Sequence, residues 1–111
     1  MKAVDALDAT TAAGDVIYVL SICLVELSYL IEKSRLPTIV REELIQTLDD
    51  PTSPCSLVPL GRVVADALEL VKRSEVPDLP DRIIAATAVA MRAPLISRDA
   101  KIRASEVQTI W

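Results

Sequence analysis

The fold of this chain is decided in its C-terminal half, by the stretch PDRIIAATA (residues 80–88) and the stretch APLISRD (residues 93–99). The first has the apolar pattern of a buried helix that starts beside a proline. The second is a short apolar strand that ends in Ser97, Arg98 and Asp99. A helix that leads directly into a strand is half of a βαβ crossover, which is typical of parallel sheets.

The rest of the chain continues this alternation of helices and strands. Breaks are expected at Gly14-Asp15, at residues 49–54 and at the proline-rich residues 77–80, and Pro59 limits its strand to a sheet edge or a strand end. We predict helices over residues 1–13, 24–33, 38–48, 63–72 and 81–91, and strands over residues 16–20, 56–60, 95–97 and 107–111. The pattern predicts a single α/β domain over residues 1–111 with a mostly parallel sheet.

Composition excludes several classes of function. The chain has no histidine, which removes zinc–histidine sites and Ser-His-Asp triads. Its net charge of −4 argues against a protein that holds nucleic acid by broad phosphate neutralisation, although a nuclease with a metal ion in an acidic pocket remains compatible. The only aromatic residues are Tyr18, Tyr29 and Trp111, too few for the stacking platform of an OB-fold or an RRM.

Cysteine usage and hydropathy predict a cytoplasmic protein. Cys23 and Cys55 form no CxxC motif, so we interpret both as inert thiols in a reducing compartment. The longest apolar stretch, residues 16–25, is about half of the ~20 residues that a membrane span needs. The N-terminus leads into Asp5 and Asp8, which is unlike a signal peptide.

Three acidic residues, Glu26, Asp81 and Asp99, are the candidate functional residues. Glu26 follows the first predicted strand, Asp99 follows the third, and Asp81 starts a helix that should face the same edge of the sheet. Because hard divalent cations take oxygen ligands, three carboxylates at one edge would suit Mg²⁺ or Mn²⁺.

Each of these residues also has an ordinary interpretation. Asp81 would serve as an N-cap or first-turn acid, Glu26 as a solvated helix residue, and Asp99 as a turn or helix-start residue. Asp78 would be a turn residue between prolines, and Ser97 a strand-end hydroxyl that bonds locally or supports a neighbouring carboxylate. Three basic residues also have two interpretations, as a solvated face or as a guide for phosphates: Arg98, Lys101 and Arg103.

Taken together, these segments resemble the PIN-domain family, and within it the VapC-type toxin ribonucleases. The resemblance covers nearly the whole chain. Residues 80–88, residues 93–99 and the terminal Thr109-Ile-Trp111 resemble the C-terminal half of such toxins, and residues 21–27 resemble the strand-to-helix segment with the second acid. It implies a three-layer α/β/α sandwich.

The resemblance also implies a function and partners. In that family four acids bind Mg²⁺ or Mn²⁺ and cleave RNA, and the second, third and fourth of them correspond to Glu26, Asp81 and Asp99, with Asp78 and Ser97 in support. The implied protein is an endoribonuclease, the toxin of a type II toxin–antitoxin pair, which forms a homodimer and binds a cognate VapB-type antitoxin. Its products would carry a 5′-phosphate and a 3′-hydroxyl.

The first acid of the family has no counterpart here. It is normally an Asp on an apolar N-terminal strand, whereas only 25 residues precede Glu26 and none of Asp5, Asp8 and Asp15 ends such a strand. We therefore expect an N-terminally truncated domain with weak or no nuclease activity. Two alternatives remain: a non-catalytic PIN remnant that dimerises or binds antitoxin, and a generic α/β interaction module whose acids are only helix caps.

Overall fold

The computed structural model describes all 111 residues and has six α-helices and four short strands in alternation. Their order is α1 (Lys2–Ala12), β1 (Ile17–Leu20), α2 (Ser21–Glu32), α3 (Thr38–Asp49), β2 (Cys55–Val58), α4 (Arg62–Ala67), a 3₁₀ turn (Leu68–Leu70), α5 (Leu79–Met91), β3 (Leu95–Ile96), α6 (Ala100–Ala104) and β4 (Thr109–Ile110). The predicted α/β class is confirmed.

Contacts divide the chain into two compact units. In the first, residues 10–59, strands β1 and β2 pair in parallel from Ile17↔Cys55 to Leu20↔Val58. Helices α2 and α3 form the crossover that parallel strands require. Strand β2 ends at Val58, two residues before its predicted end, since Pro59 has no N–H to continue the ladder.

The second unit contains residues 1–9 and 60–111. Its strands β3 and β4 are also parallel, with Leu95 opposite Thr109 and Ile96 opposite Ile110. Helix α5 packs on α4 through Ala85 and Ala86, which are 0% exposed because their small side chains let the two helices approach closely. The core of this unit comprises Ala67, Val71, Val76, Ala85, Ala86, Leu95 and Ile102.

The strands form two separate two-stranded sheets, β1–β2 and β3–β4. The prediction of parallel strands is confirmed by both pairs. The hydrogen bonds do not join the four strands into one continuous sheet. Strands β3 and β4 are only two residues long. The three-layer sandwich stays a prediction.

Several helices differ from their predicted extents. Helix α2 begins at Ser21, three residues before its predicted start, and helix α4 stops at Ala67 and continues as a 3₁₀ turn, whereas periodicity predicts helix to residue 72. Beyond Ala67, the carbonyls of Leu68 and Val71 accept hydrogen bonds from a distant side chain, Arg82. The predicted elements also omit α6, a five-residue helix that follows Asp99.

No helix of the chain combines the length and the apolar character that crossing a membrane requires. Both cysteines are half-buried free thiols.

Candidate functional site

Helix α5 starts with two acidic residues in different roles. The Asp78 carboxylate accepts a hydrogen bond from the Asp81 backbone N–H at 3.2 Å, so Asp78 is the N-cap and the helix begins at Leu79, two residues before its predicted start. Asp81 is therefore a half-buried acid of the first helical turn, which confirms the first-turn alternative of its ordinary interpretation, whereas the N-cap is Asp78. At this end of a helix the macrodipole favours negative charge.

Arg82 secures the same helical turn from the other side. Its Nε donates to the carbonyl of Val71 at 2.8 Å and its Nη2 to the carbonyl of Leu68 at 3.1 Å. These two bonds tie the turn that carries Asp81 to the end of the 3₁₀ turn. Sequence reasoning missed Arg82, because nothing in its local pattern indicates which carbonyls it will meet.

We expect Arg82→Met to destabilise the protein by about 1–3 kcal/mol, because it leaves the carbonyl of Val71 without a donor and the carbonyl of Leu68 with only the Val71 N–H, while it keeps most of the apolar stem. Urea unfolding followed by circular dichroism measures the effect. The matched control is Arg62→Met, which removes an exposed ion pair to Asp66 and should cost less than about 1 kcal/mol. Equal losses in both variants would show that the carbonyl bonds contribute nothing.

Asp99 is held in place by its neighbours on both sides. Its Oδ1 accepts from the N–H of Ile102 at 2.9 Å, which makes Asp99 the N-cap of α6. Its own N–H donates to the Ser97 hydroxyl oxygen at 3.1 Å. The interpretation of Asp99 as a helix-start residue is thus confirmed, as is that of Ser97 as a local hydrogen-bonding group. Because the cap uses only Oδ1, the second carboxylate oxygen remains available to a ligand.

Burial of Ile102 fixes the orientation of α6. The side chain of Ile102 is 2% exposed and belongs to the core of its unit, while Asp99 itself is half-buried. Asp99 therefore sits on a short helix that is anchored at its cap and by one core residue.

Glu26 lies in the second turn of α2, in the other unit. It is half-buried, while its neighbour Val25 is 67% exposed. Its charge acts on Cys23, one turn earlier: burial is the main cause that raises the pKa of the Cys23 thiol, and the Glu26 carboxylate raises it further.

The structure thus places Asp78, Asp81, Ser97 and Asp99 in one unit and Glu26 in the other. No group of three or more His, Cys, Asp or Glu side chains is arranged to hold a metal ion. The donor chemistry of Glu26, Asp81 and Asp99 suits a hard cation, since all three are carboxylates. Their assembly into one site stays a prediction.

Comparison with known proteins identifies the family of this chain. No curated protein and no solved structure matches it significantly. The family model described as PIN domain matches residues 1–107, which takes in both compact units and every candidate residue. The chain belongs to the PIN domain family.

Proposed function

We propose that this protein is a metal-dependent endoribonuclease, the toxin of a type II toxin–antitoxin pair. PIN domains are a family of nucleases that generally bind divalent metals. The observation that carries the proposal is the way Asp81 and Asp99 are held, each at the start of a helix in the same unit. Carboxylates in such positions need little reorganisation when a ligand arrives.

In this proposal Glu26, Asp81 and Asp99 hold Mg²⁺ or Mn²⁺. When bound, such an ion lowers the pKa of a water and offsets the charge that develops on the phosphate during hydrolysis. The protein's own contribution is to hold the carboxylates in position. Asp78 supports Asp81 by capping its helix, and Ser97 supports Asp99 by bonding its backbone.

The proposed partners are RNA as substrate, a cognate VapB-type antitoxin and a second copy of the chain. Exposed apolar side chains on α2, Val25 and Tyr29, are typical of surfaces that associate with other proteins. Size-exclusion chromatography with light scattering of the purified protein, with and without antitoxin, tests both associations.

The test of the proposed function is cleavage of a labelled RNA in Mg²⁺, with EDTA as the control. We expect cleavage that stops in EDTA and products with a 5′-phosphate and a 3′-hydroxyl. Cleavage that persists in EDTA would overturn the metal-dependent mechanism. RNA that stays intact at every metal concentration, both for this chain and for a version with an added N-terminal strand, would overturn nuclease activity.

A second candidate is a non-catalytic PIN remnant that dimerises or binds antitoxin. The absence of a cluster of three possible metal ligands favours it. It predicts that Mg²⁺ leaves the melting temperature unchanged, whereas the nuclease proposal predicts an increase. A thermal melt with and without Mg²⁺ separates the two.

Cys23 offers a direct probe of Glu26. Alkylation requires the thiolate, so the raised pKa of Cys23 makes its reaction with iodoacetamide slow near neutral pH. If Mg²⁺ binds Glu26, it offsets the carboxylate charge, lowers the pKa of Cys23 and speeds alkylation by about two- to threefold. The measurement is a pH–rate profile in a Cys55→Ser background.

Two variants serve as controls for this probe. Glu26→Gln should speed alkylation without metal and abolish the Mg²⁺ effect, while Glu32→Gln, on the exposed end of the same helix, should do neither. A Mg²⁺ effect that survives in Glu26→Gln would show that Glu26 is not a ligand.

The raised pKa of Cys23 also makes the free energy of unfolding pH-dependent. The unfolded chain releases the Cys23 proton at a lower pH than the folded protein does. The contribution of Cys23 to stability is therefore fully present below the ordinary pKa of 9.0 and falls as the pH rises above it.

A further inference from the structure

Basic charge is concentrated around Asp99 in an otherwise acidic chain. The net charge is −4, yet residues 98–105 contain Arg98, Lys101 and Arg103 and only one acid, Asp99. We call these three residues the basic segment. Its position beside a candidate metal ligand is the feature that requires an explanation.

All three side chains of the basic segment are exposed, and none of them makes an ion pair. The ion pairs of the chain join the N-terminal amine to Asp5 and Arg62 to Asp66. The backbone beneath the basic segment is nonetheless fixed, because Asp99 caps α6 and Ile102 anchors it in the core. The cations therefore project from an ordered support into solvent.

Helix electrostatics accounts for only part of this arrangement. Lys101 and Arg103 lie in the last turn of α6, where a cation stabilises a helix. Arg98 precedes the N-cap, at the positive end of the helix, where the same field disfavours a cation. Helix stability therefore gives no reason for a cation at Arg98, which is exposed and makes no ion pair.

An exposed aromatic ring lies at the same strand ends. Strand β3 pairs with β4 in parallel, and the Ser97 N–H donates to the carbonyl of Ile110 at 3.2 Å. Continuing this register by one residue places Trp111 alongside Ser97, two residues from Asp99. Trp111 is 42% exposed although it is the largest apolar side chain of the protein. An exposed indole beside unpaired cations is the combination on which single-stranded nucleic acids bind, with a base on the ring and phosphates on the cations.

We propose that the basic segment and Trp111 form a binding strip for single-stranded RNA, which leads the backbone past Asp99. Arg98, Lys101 and Arg103 contact consecutive phosphates, and one base stacks on Trp111. This inference rests on the proposed function for its substrate class, but it assigns residues that the metal site does not use. The stacking ring favours a nucleic acid over an acidic peptide, which offers charge but no flat bases.

The test is binding, in EDTA, of a 2′-O-methyl oligonucleotide of 12 nucleotides, which cannot be cleaved. Trp111 is the only tryptophan, so quenching of the intrinsic fluorescence reports stacking on this ring. We expect quenching on titration, and an affinity whose logarithm falls with the logarithm of salt concentration by about 0.7 for each phosphate contacted. Three contacts correspond to a slope of about −2.

Two variants separate charge from stacking. The triple variant Arg98→Gln/Lys101→Gln/Arg103→Gln should bind at least about tenfold more weakly at low salt and should lose most of the salt dependence. Trp111→Leu should weaken binding by about tenfold and leave the slope unchanged. The matched control is Lys2→Gln/Arg35→Gln/Arg92→Gln, which changes the net charge equally at exposed positions and should keep both slope and affinity within about twofold.

The outcomes also distinguish this inference from the proposed function. Equal affinity and slope in the two triple variants would overturn the binding strip, even if the protein cleaves RNA. Oligonucleotide binding as described, without any cleavage in Mg²⁺, would support the strip and leave only the nuclease proposal refuted. Equally tight binding of polyglutamate, with no change in fluorescence on adding the oligonucleotide, would assign the basic segment to an acidic protein partner and overturn the strip.

Discussion

Asp99→Asn is expected to lower RNA cleavage by about 10²-fold or more while it changes the free energy of unfolding by less than about 1 kcal/mol. Asparagine caps a helix about as well as aspartate, because its side-chain oxygen can accept the Ile102 N–H. It cannot supply the negative charge on which the affinity for a divalent cation depends. The measurement is single-turnover cleavage in Mg²⁺ together with urea unfolding.

The choice of asparagine follows from the structure. Alanine at this position would also remove the cap of α6, at a cost of about 0.5–2 kcal/mol, so a loss of activity in Asp99→Ala would mix folding with chemistry. Removing one acid from a crowded pocket can stabilise a fold, but at this position loss of the hydrogen bond from Ile102 opposes that gain.

Asp81→Asn extends the test to the second ligand. Asp81→Asn and Asp99→Asn should each lose the increase in melting temperature that Mg²⁺ produces in the unaltered protein, since the carboxylates bind the ion jointly. The control is Asp66→Asn, an exposed acid on α4 that should keep both cleavage and the Mg²⁺ effect. If Asp99→Asn cleaves RNA at the full rate, or if both variants keep the full metal-dependent shift, the assigned ligands are wrong.

The second large effect concerns the N-terminus. We expect a version with an added apolar strand that ends in Asp to cleave RNA about 10²-fold faster than the 111-residue chain. A fourth carboxylate would increase ligand charge and tighten the binding of a divalent ion. This prediction rests on the family resemblance, in which four acids form the site.

The sheets offer places where such a strand can pair. In a parallel ladder the backbone N–H groups of successive residues point to opposite sides of the strand. The N–H of Ile17 donates to the carbonyl of Pro54, on the side of β2. Tyr18 accordingly faces the other edge of β1, and Ile96 the other edge of β3. Edges with exposed N–H and C=O groups accept an additional strand readily.

The control for the extended version is the same strand ending in Asn. It should pair with a sheet edge without increasing cleavage, which separates the structural contribution of the strand from that of the ligand. Rapid cleavage by the 111-residue chain alone, abolished by EDTA and by Glu26→Gln, would refute the prediction while supporting the proposed function.

Residues 80–99 illustrate how far local patterns can predict this protein. The apolar run after Pro80 predicts α5, and the run after Pro94 predicts β3, because proline breaks the chain and apolar residues need burial. The five residues that follow, Ala100–Ala104, form α6, which the pattern does not reveal. Its five residues are too few for a hydrophobic period, and its formation depends on the Asp99 cap and on burial of Ile102.

The sequence by itself determined the α/β class and the parallel strands, because alternation of apolar runs and breakers is a local property. Only the tertiary structure decided that Asp78 rather than Asp81 caps α5, that Arg82 bonds the carbonyls of Leu68 and Val71 beyond the end of α4, and that the strands form two sheets. Those outcomes depend on which hydrogen-bonding groups meet after the chain has folded. Local sequence patterns do not specify which of these groups come into contact.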